Sequence, residues 1–173
     1  MPQDLRRDLI VLLPRLRRFA RSLTGASDQA DDLVQASVEK ALRNLDGFTC
    51  GTRMDAWMFR IIRNTWIDTI RARRDTVEFD AEAADTVIGS DGRATTEARL
   101  HLAEVRRAMA SLPEDQRAVL MLVCVEGMRY REVAEVLNIP EGTVMSRLSR
   151  ARLALAKKLK DKPLGAQQQG TSQ

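Results

Sequence analysis

Residues 130–152, YREVAEVLNIPEGTVMSRLSRAR, decide the fold of the C-terminal part of this chain. Two helical patterns flank the turn Asn138-Ile139-Pro140, and this arrangement predicts a helix-turn-helix. The first helix has a small residue, Ala134, at the place where the second helix would cross it. Ile139 is apolar, as expected of a turn residue that fills the angle between two helices. We expect the second helix to begin at Glu141.

The second helix of this motif has two faces of opposite character. Its apolar stripe should pack against the rest of the domain and consists of Val144, Leu148, Ala151 and Leu155. Its polar stripe consists of Thr143, Ser146, Arg147 and Arg150. Arginine can read guanine with two hydrogen bonds, and hydroxyls can bond phosphates or base edges, so this stripe suits a DNA major groove. An amphipathic helix with a solvated basic face is the competing interpretation.

A second basic helix is predicted upstream, from Arg53 to Arg74. One continuous stripe on it combines an aromatic ring, hydrogen-bonding groups and cations: Trp57, Arg60, Asn64, Asp68 and Arg71. Such a mixture suits single-stranded or locally melted DNA better than intact duplex. The opposite side should be core and contains Met58, Ile61, Ile62 and Ile70. Trp57 and Trp66 could both be plain core residues, and the pattern alone leaves this open.

The rest of the chain also shows helical periodicity. We expect helices over 5–23, 28–45, 95–110 and 118–125, with a loop over 47–52. Pro14 should kink or break the first of these helices. Residues 111–114 have the form of a helix start ahead of the apolar run 118–125, with Ser111 or Leu112 as the cap and Pro113 in the first turn.

An acidic segment separates the two helical regions. Residues 75 to 92 hold six acidic residues and no basic one, which predicts a linker. It could be a solvated spacer, or a segment that avoids DNA or mimics nucleic acid in a basic channel. We therefore predict an all-α fold with two small helical domains, residues 1–74 and 96–160. A flexible acidic linker, residues 75–95, joins them, and a disordered tail, residues 161–173, follows.

Composition and cysteine usage exclude several classes of protein. A net charge of +4 fits an anionic partner. Cys50 and Cys124 lie in unrelated contexts, so a zinc site or disulfide is not expected, and His101 has the pattern of a surface residue. There is no apolar run long enough for membrane insertion and no signal-peptide pattern at the N-terminus. We expect no catalytic residues, no metal and no cofactor, which makes an enzyme the weakest of the interpretations.

Three blocks together resemble the extracytoplasmic function (ECF) group of bacterial sigma-70 family factors. They are DQADDLVQASVEKALRNLDGF (28–48), AWMFRIIRNTWIDTIRARR (56–74) and LPEDQRAVLMLVCVEGMRYREVAEVLNIPEGTVMSRLSRARLAL (112–155). The resemblance covers about residues 5 to 160 and has both modules in the family's order. It implies a cytoplasmic subunit that binds core RNA polymerase and directs promoter-specific transcription initiation, without being an enzyme.

The resemblance also implies roles for individual residues. Core polymerase would bind Asp31, Asp32, Leu33, Val34 and Gln35. The minus-ten element would bind the loop Phe48 to Asp55 together with Trp57, Arg60, Asn64 and Arg71, with a base flipped into a pocket near Asn64. The upstream minus-thirty-five element of the promoter DNA would bind Thr143, Ser146, Arg147 and Arg150. The acidic linker would run toward the RNA path of the polymerase.

Two positions depart from the family pattern. Many relatives have an arginine at the position of Met145 and often an aromatic residue at that of Ser149, so the promoter sequence stays open. The chain also shows no added C-terminal domain and no N-terminal autoinhibitory segment. We therefore expect a separate anti-sigma factor to control it.

Two other classes compete with this interpretation. An autonomous helix-turn-helix repressor or activator would dimerise and bind an operator, but it would leave Arg53 to Arg74 and the acidic linker unexplained. A sigma-mimicking decoy that binds an anti-sigma factor usually carries a receiver domain, and no α/β pattern is present to supply one.

Overall fold

The computed structural model describes residues 2–49, 52–76 and 96–160, and within these ranges it contains α-helices and no β-strand. The N-terminal module (residues 2–76) consists of α1 Pro2–Thr24, α2 Ser27–Arg43 and α3 Met54–Thr76, with a short 3-10 turn at Leu45–Gly47. The C-terminal module (residues 96–160) consists of α4 Thr96–Ala110, α5 Glu114–Leu120, α6 Tyr130–Leu137 and α7 Glu141–Lys160. The all-α prediction is confirmed. The predicted linker, from residue 77 on, and the predicted tail lie outside the described residues.

The three helices of the N-terminal module pack around an apolar centre. Phe19 of α1 and Phe59 of α3 meet edge to face with ring centroids 5.1 Å apart, and neither ring is exposed to solvent. Met58 and Ile62 are fully buried beside them, as the periodicity predicts, while Ile61 and Ile70 are only partly buried. Burial of these large side chains provides most of the stability of such a small bundle.

Pro14 does not break α1, so of the two predicted effects, a kink or a break, the break was wrong. The helix continues to Thr24 and ends where Gly25 takes a positive φ of 79°. Pro14 is exposed, on the same side as Ile10 and Val11. Water can therefore satisfy the Ile10 carbonyl that proline leaves without its hydrogen bond. Core residues on both sides of Pro14, Leu12 and Leu16 among them, hold the helix in place.

The C-terminal module contains the predicted helix-turn-helix. Helix α6 ends at Leu137, and its C-cap residue Asn138 takes the left-handed conformation with φ 53°. The Ile139 amide donates to the Ala134 carbonyl at 3.0 Å. Asparagine tolerates this conformation better than most residues, which is why the chain can turn so sharply before Pro140. Val144, Leu148 and Ala151 of α7 are buried against the preceding helices.

The start of α5 differs from the prediction. Pro113, not Ser111 or Leu112, takes the cap position: its ψ is 142°, and its carbonyl accepts the Gln116 and Arg117 amides. The helix therefore begins at Glu114, just after the start predicted at Pro113. It continues as a π-helical turn, Met121–Val125, before Gly127 turns the chain with φ 68°.

The described parts of the two modules pack against each other, with α1 against α5 and α3 against α6. One buried apolar cluster runs through both modules. Arg117 of α5 reaches across to the end of α1, where its guanidinium donates to the carbonyls of Ser22 and Leu23. It also donates to the Ala110 carbonyl at 2.8 Å. Burial lowers the pKa of Arg117, as expected for a cation bound by neutral carbonyls.

Candidate nucleic-acid interface

The polar stripe of α7 faces away from the core. Ser146 and Arg150 are exposed, and Thr143 and Arg147 are half-buried. The Ser146 hydroxyl donates to the Thr143 carbonyl at 3.1 Å. Arg150 folds back on its own helix, with Nε 3.3 Å from the Ser146 carbonyl and Nη2 3.4 Å from its hydroxyl. The structure therefore brings all four predicted residues onto one accessible face of the second helix of the motif.

Arg147 is supported from a different helix. Its Nε lies 3.0 Å from a carboxylate oxygen of Asp115, in the first turn of α5. The other oxygen of Asp115 accepts the Gln116 amide at 2.9 Å, which fixes the orientation of the carboxylate. Asp115 is not identifiable from the sequence, because a contact between residues on different helices leaves no periodic pattern.

The stripe on α3 is also solvent-facing along most of its length. Arg60, Asn64 and Arg71 are exposed. Asp68 is also exposed and pairs with Lys40 of α2 at 3.4 Å. Trp57 differs from the others, because it is half-buried and its ring lies 5.2 Å from that of Phe48. The indole therefore already has an aromatic neighbour from the preceding loop, and Trp66 belongs to the core.

The segment Asp31 to Gln35 divides between surface and core. Leu33 and Val34 lie on the buried face of α2, so their side chains contribute to packing within the module. Asp31, Asp32 and Gln35 are exposed. Asp31 pairs with Arg17 of α1 at 3.2 Å. The surface that this segment offers to a partner therefore consists of two carboxylates and an amide.

A buried carboxylate ties the π-helical turn region to α1. The side chain of Glu126 is 1% exposed, and one of its oxygens lies 2.6 Å from Arg15 Nε. Its other oxygen lies 3.2 Å from Arg18 Nη2. Removing a charge from water is costly, and two arginines compensate this cost here. Glu126 therefore depends on the packing between the modules for its partners.

A second cluster of charges joins the loop before α3 to the helix-turn-helix. Arg53 donates to Asp55 at 2.7 Å and to Glu132 of α6 at 2.6 Å. Arg15 also donates to Asp55, at 3.0 Å. Arg53 precedes α3 and Asp55 lies in its first turn, and both belong to the segment Phe48 to Asp55 that is expected to bind the minus-ten element. In this structure Arg53 of that segment is bound to the C-terminal module.

These contacts lower the pKa of both carboxylates. Burial acts to raise the pKa of Asp55, but hydrogen bonds from Arg53 and the Ala56 amide outweigh it. The Arg129 amide, with help from Arg53, holds the pKa of Glu132 below its ordinary value. A carboxylate with a depressed folded-state pKa stabilises the fold above its ordinary pKa of about 4, and this contribution is lost as the pH falls through the folded-state pKa.

We therefore predict that Glu132→Gln lowers the unfolding midpoint at neutral pH and has progressively less effect in acid. The difference in unfolding free energy between the wild type and the variant should shrink as the pH falls below about 4 and through the lowered folded-state pKa of Glu132, because both chains then lack the charge. Denaturant unfolding across this pH range measures it. Glu135→Gln, which removes an exposed partner of Arg131 on the same helix, serves as the control and should have little effect at any pH. A Glu132→Gln effect that is constant with pH would contradict the assignment.

Among the described residues there is no cluster of side chains suited to a metal ion, and no helix long and apolar enough to cross a membrane. Cys50 lies outside the described residues. Cys124 is exposed, with its sulfur 3.6 Å from Arg152. His101 is exposed on α4, 3.9 Å from Glu104.

Comparison with known proteins matches both modules. The family model for sigma-70 region 2 matches residues 11–76, and that for sigma-70 region 4 matches residues 102–155. A relative from Rhodopseudomonas palustris, the ECF RNA polymerase sigma factor EcfG, is 40% identical over 157 residues, which cover 90% of this chain and 85% of the relative.

Solved structures agree with this match. The chain is similar to the sigma factor RpoE of Bartonella quintana, solved in complex with the anti-sigma factor NepR. Their TM-score is 0.75 at 32% identity, over 91% of this chain and 98% of the other. It is also similar to CnrH in complex with the cytosolic domain of CnrY, with a TM-score of 0.67 at 28% identity, over 94% and 91% of the two chains.

Proposed function

The chain belongs to the extracytoplasmic function group of sigma-70 family RNA polymerase sigma factors. We propose which of its surfaces recognises each promoter element. The protein binds core RNA polymerase and directs transcription from promoters with a matching minus-ten and minus-thirty-five element. The observation that carries this proposal is the presence of two exposed basic stripes, on α3 and on α7, in two separate modules of one chain.

Each stripe suits a different form of DNA. The α7 stripe lies on the second helix of a helix-turn-helix, the element that enters the major groove of duplex DNA, and reads the minus-thirty-five element through Thr143, Ser146, Arg147 and Arg150. The α3 stripe takes the nontemplate strand of the minus-ten element through Arg60, Asn64, Arg71 and Trp57. Trp57 must leave Phe48, or stack on its free face, for a base to use the ring.

The module packing seen here cannot persist on a promoter. Elements about 25 base pairs apart are separated by about 85 Å on straight B-DNA, at about 3.4 Å per base pair. In this structure Arg53 Nη1 lies 2.6 Å from Glu132 Oε1, across the contact between the modules. With this contact intact, the chain cannot reach both promoter elements. The modules therefore separate when the protein binds polymerase and promoter, and the linker of residues 77–95 spans the gap.

A separate anti-sigma factor controls the protein in this proposal. The similar sigma factor RpoE was solved bound to such a partner, the anti-sigma factor NepR, and the similar CnrH was solved in complex with the cytosolic domain of CnrY. A partner that holds the two modules together would keep the loop around Arg53 against α6 and away from DNA. The protein acts in the cytoplasm as a transcription regulator and catalyses no reaction of its own.

Core-polymerase binding is expected to depend on Asp32. This carboxylate is exposed on α2 and belongs to the segment that resembles the polymerase-docking motif, whereas Leu33 and Val34 support it from the core. Asp32→Ala should weaken binding of the full chain to core polymerase by about tenfold or more, because charged hydrogen bonds at a protein interface are costly to break. Competition against a labelled wild-type chain measures this affinity.

Asp28→Ala is the matched control, because Asp28 lies on the same helix in its first turn. It should leave core binding within about twofold of the wild type. Equal losses for both variants would show a general effect of charge on α2. An Asp32→Ala chain that binds core polymerase normally would show that the docking surface is misassigned.

A further inference from the structure

We propose that Asp115 is a specificity-determining positioning residue: it orients Arg147 for base readout without touching DNA itself. The two side chains come from different helices, α5 and α7, and pair at 3.0 Å between Asp115 Oδ2 and Arg147 Nε. This inference rests on the proposed reading of the upstream element by α7. It concerns how one arginine of that face is held, a point that the family assignment leaves open.

The geometry of the pair leaves the readout edge of Arg147 available. Asp115 engages Nε, and the two terminal amino groups of the guanidinium have no hydrogen-bond partner among the described residues. Two parallel N–H donors are what a bidentate contact to guanine needs. A guanidinium is planar and rigid, so an ion pair at Nε restrains the whole group, including that edge.

Asp115 is itself held in place. It lies in the first turn of α5, where a negative charge is favourable, and its second oxygen accepts the Gln116 amide at 2.9 Å. Arg147 is half-buried with its side chain 25% exposed, whereas Arg150 is exposed and hydrogen-bonds to Ser146 of its own helix. Arg147 is therefore the more restrained of the two arginines on this face.

A carboxylate beside a DNA-reading arginine has an electrostatic cost, because it weakens attraction to phosphates. A pair as exposed as this one adds little to the stability of the fold. We infer that Asp115 restrains Arg147, and that this restraint offsets the weaker attraction to phosphates. With Asp115 absent, Arg147 keeps its charge but can swing toward the phosphate backbone, which carries no base information.

The test uses the full chain assembled with core polymerase on templates whose upstream element is randomised, with base preferences read from the transcripts. We expect Arg147→Ala to lose preference at one base pair by about tenfold or more. Asp115→Asn and Asp115→Ala should lose preference at the same base pair, by about three- to tenfold, while binding to scrambled duplex stays equal or strengthens. The double variant Asp115→Ala/Arg147→Ala should lose no more base preference than Arg147→Ala alone.

Glu141→Gln is the matched control, since it removes an exposed carboxylate from the first turn of α7 itself. It should leave the base preference unchanged. Asp115 variants that keep the wild-type preference, that lose preference evenly at all positions, or that add to the Arg147→Ala defect would each overturn the proposal. Thermal unfolding of each variant separates these outcomes from misfolding, and Asp115→Asn preserves the side-chain shape if Asp115→Ala is unstable. Failure of the wild-type chain to direct any transcription would instead overturn the proposed function.

Discussion

Replacing Arg147 and Arg150 together by alanine should reduce transcription from a promoter that depends on its upstream element by about a hundredfold. Each bidentate arginine contact to a base is worth about 1–3 kcal/mol, and contributions at separate base pairs are roughly additive. Both residues lie on the exposed face of α7, and neither belongs to the core. The loss should therefore appear in promoter use, with core binding and thermal stability unchanged.

Arg152→Ala provides the control on the same helix. Arg152 is exposed but lies off the stripe, beside Cys124. Its replacement should reduce transcription only by the contribution of one nonspecific phosphate contact to DNA affinity. Run-off transcription with core polymerase compares the variants, and a competition assay checks core binding. An Arg152→Ala defect as large as that of the double variant would show that charge alone, rather than the α7 stripe, determines promoter use.

Phe59→Ala should destabilise the N-terminal module by about 3–5 kcal/mol, the usual cost of removing a large buried aromatic side chain. The Phe59 ring has no exposed surface, meets Phe19 edge to face at 5.1 Å and lies 5.7 Å beneath the Arg15 guanidinium. Since a domain of this size is stable by only about 5–15 kcal/mol, much of the folded population would be lost near physiological temperature.

Denaturant unfolding measures this loss, with the free energy taken by linear extrapolation. Phe48→Ala is the matched aromatic control, because Phe48 is only half-buried and packs on Trp57 near the surface. It should cost clearly less than Phe59→Ala. A Phe59→Ala chain within about 1 kcal/mol of the wild type would contradict the placement of this ring at the centre of the bundle.

The sequence predicted the helices and their apolar faces well, because burial on one side of a helix leaves a periodic pattern. Met58, Ile62, Val144 and Leu148 all lie where that pattern places them. Predictions from the local propensity of a single residue were less successful where tertiary contacts oppose that propensity. Pro14 was expected to kink or break α1, but the helix does not break, because buried apolar residues on both sides of Pro14 hold it in place.

The contacts between modules could not be predicted from the sequence. Glu126, Arg15 and Arg53 have the pattern of solvated surface charges, and nothing local indicates that one of them is buried. Their partners lie far away in the chain, so the pairing depends on how the modules pack. Asp115 was missed for the same reason. The resemblance pointed to the segment Asp31 to Gln35, whereas the division of that segment into surface and core came only from the structure.

The central claim, that this chain gives core polymerase its promoter specificity, is tested most directly by run-off transcription from a randomised promoter library with and without the purified chain. We expect core polymerase alone to produce no specific transcripts. With the chain present, transcripts should come from templates that share both an upstream and a minus-ten element at a fixed spacing. A chain that fails to bind core polymerase, or that yields no enriched template, would contradict the claim.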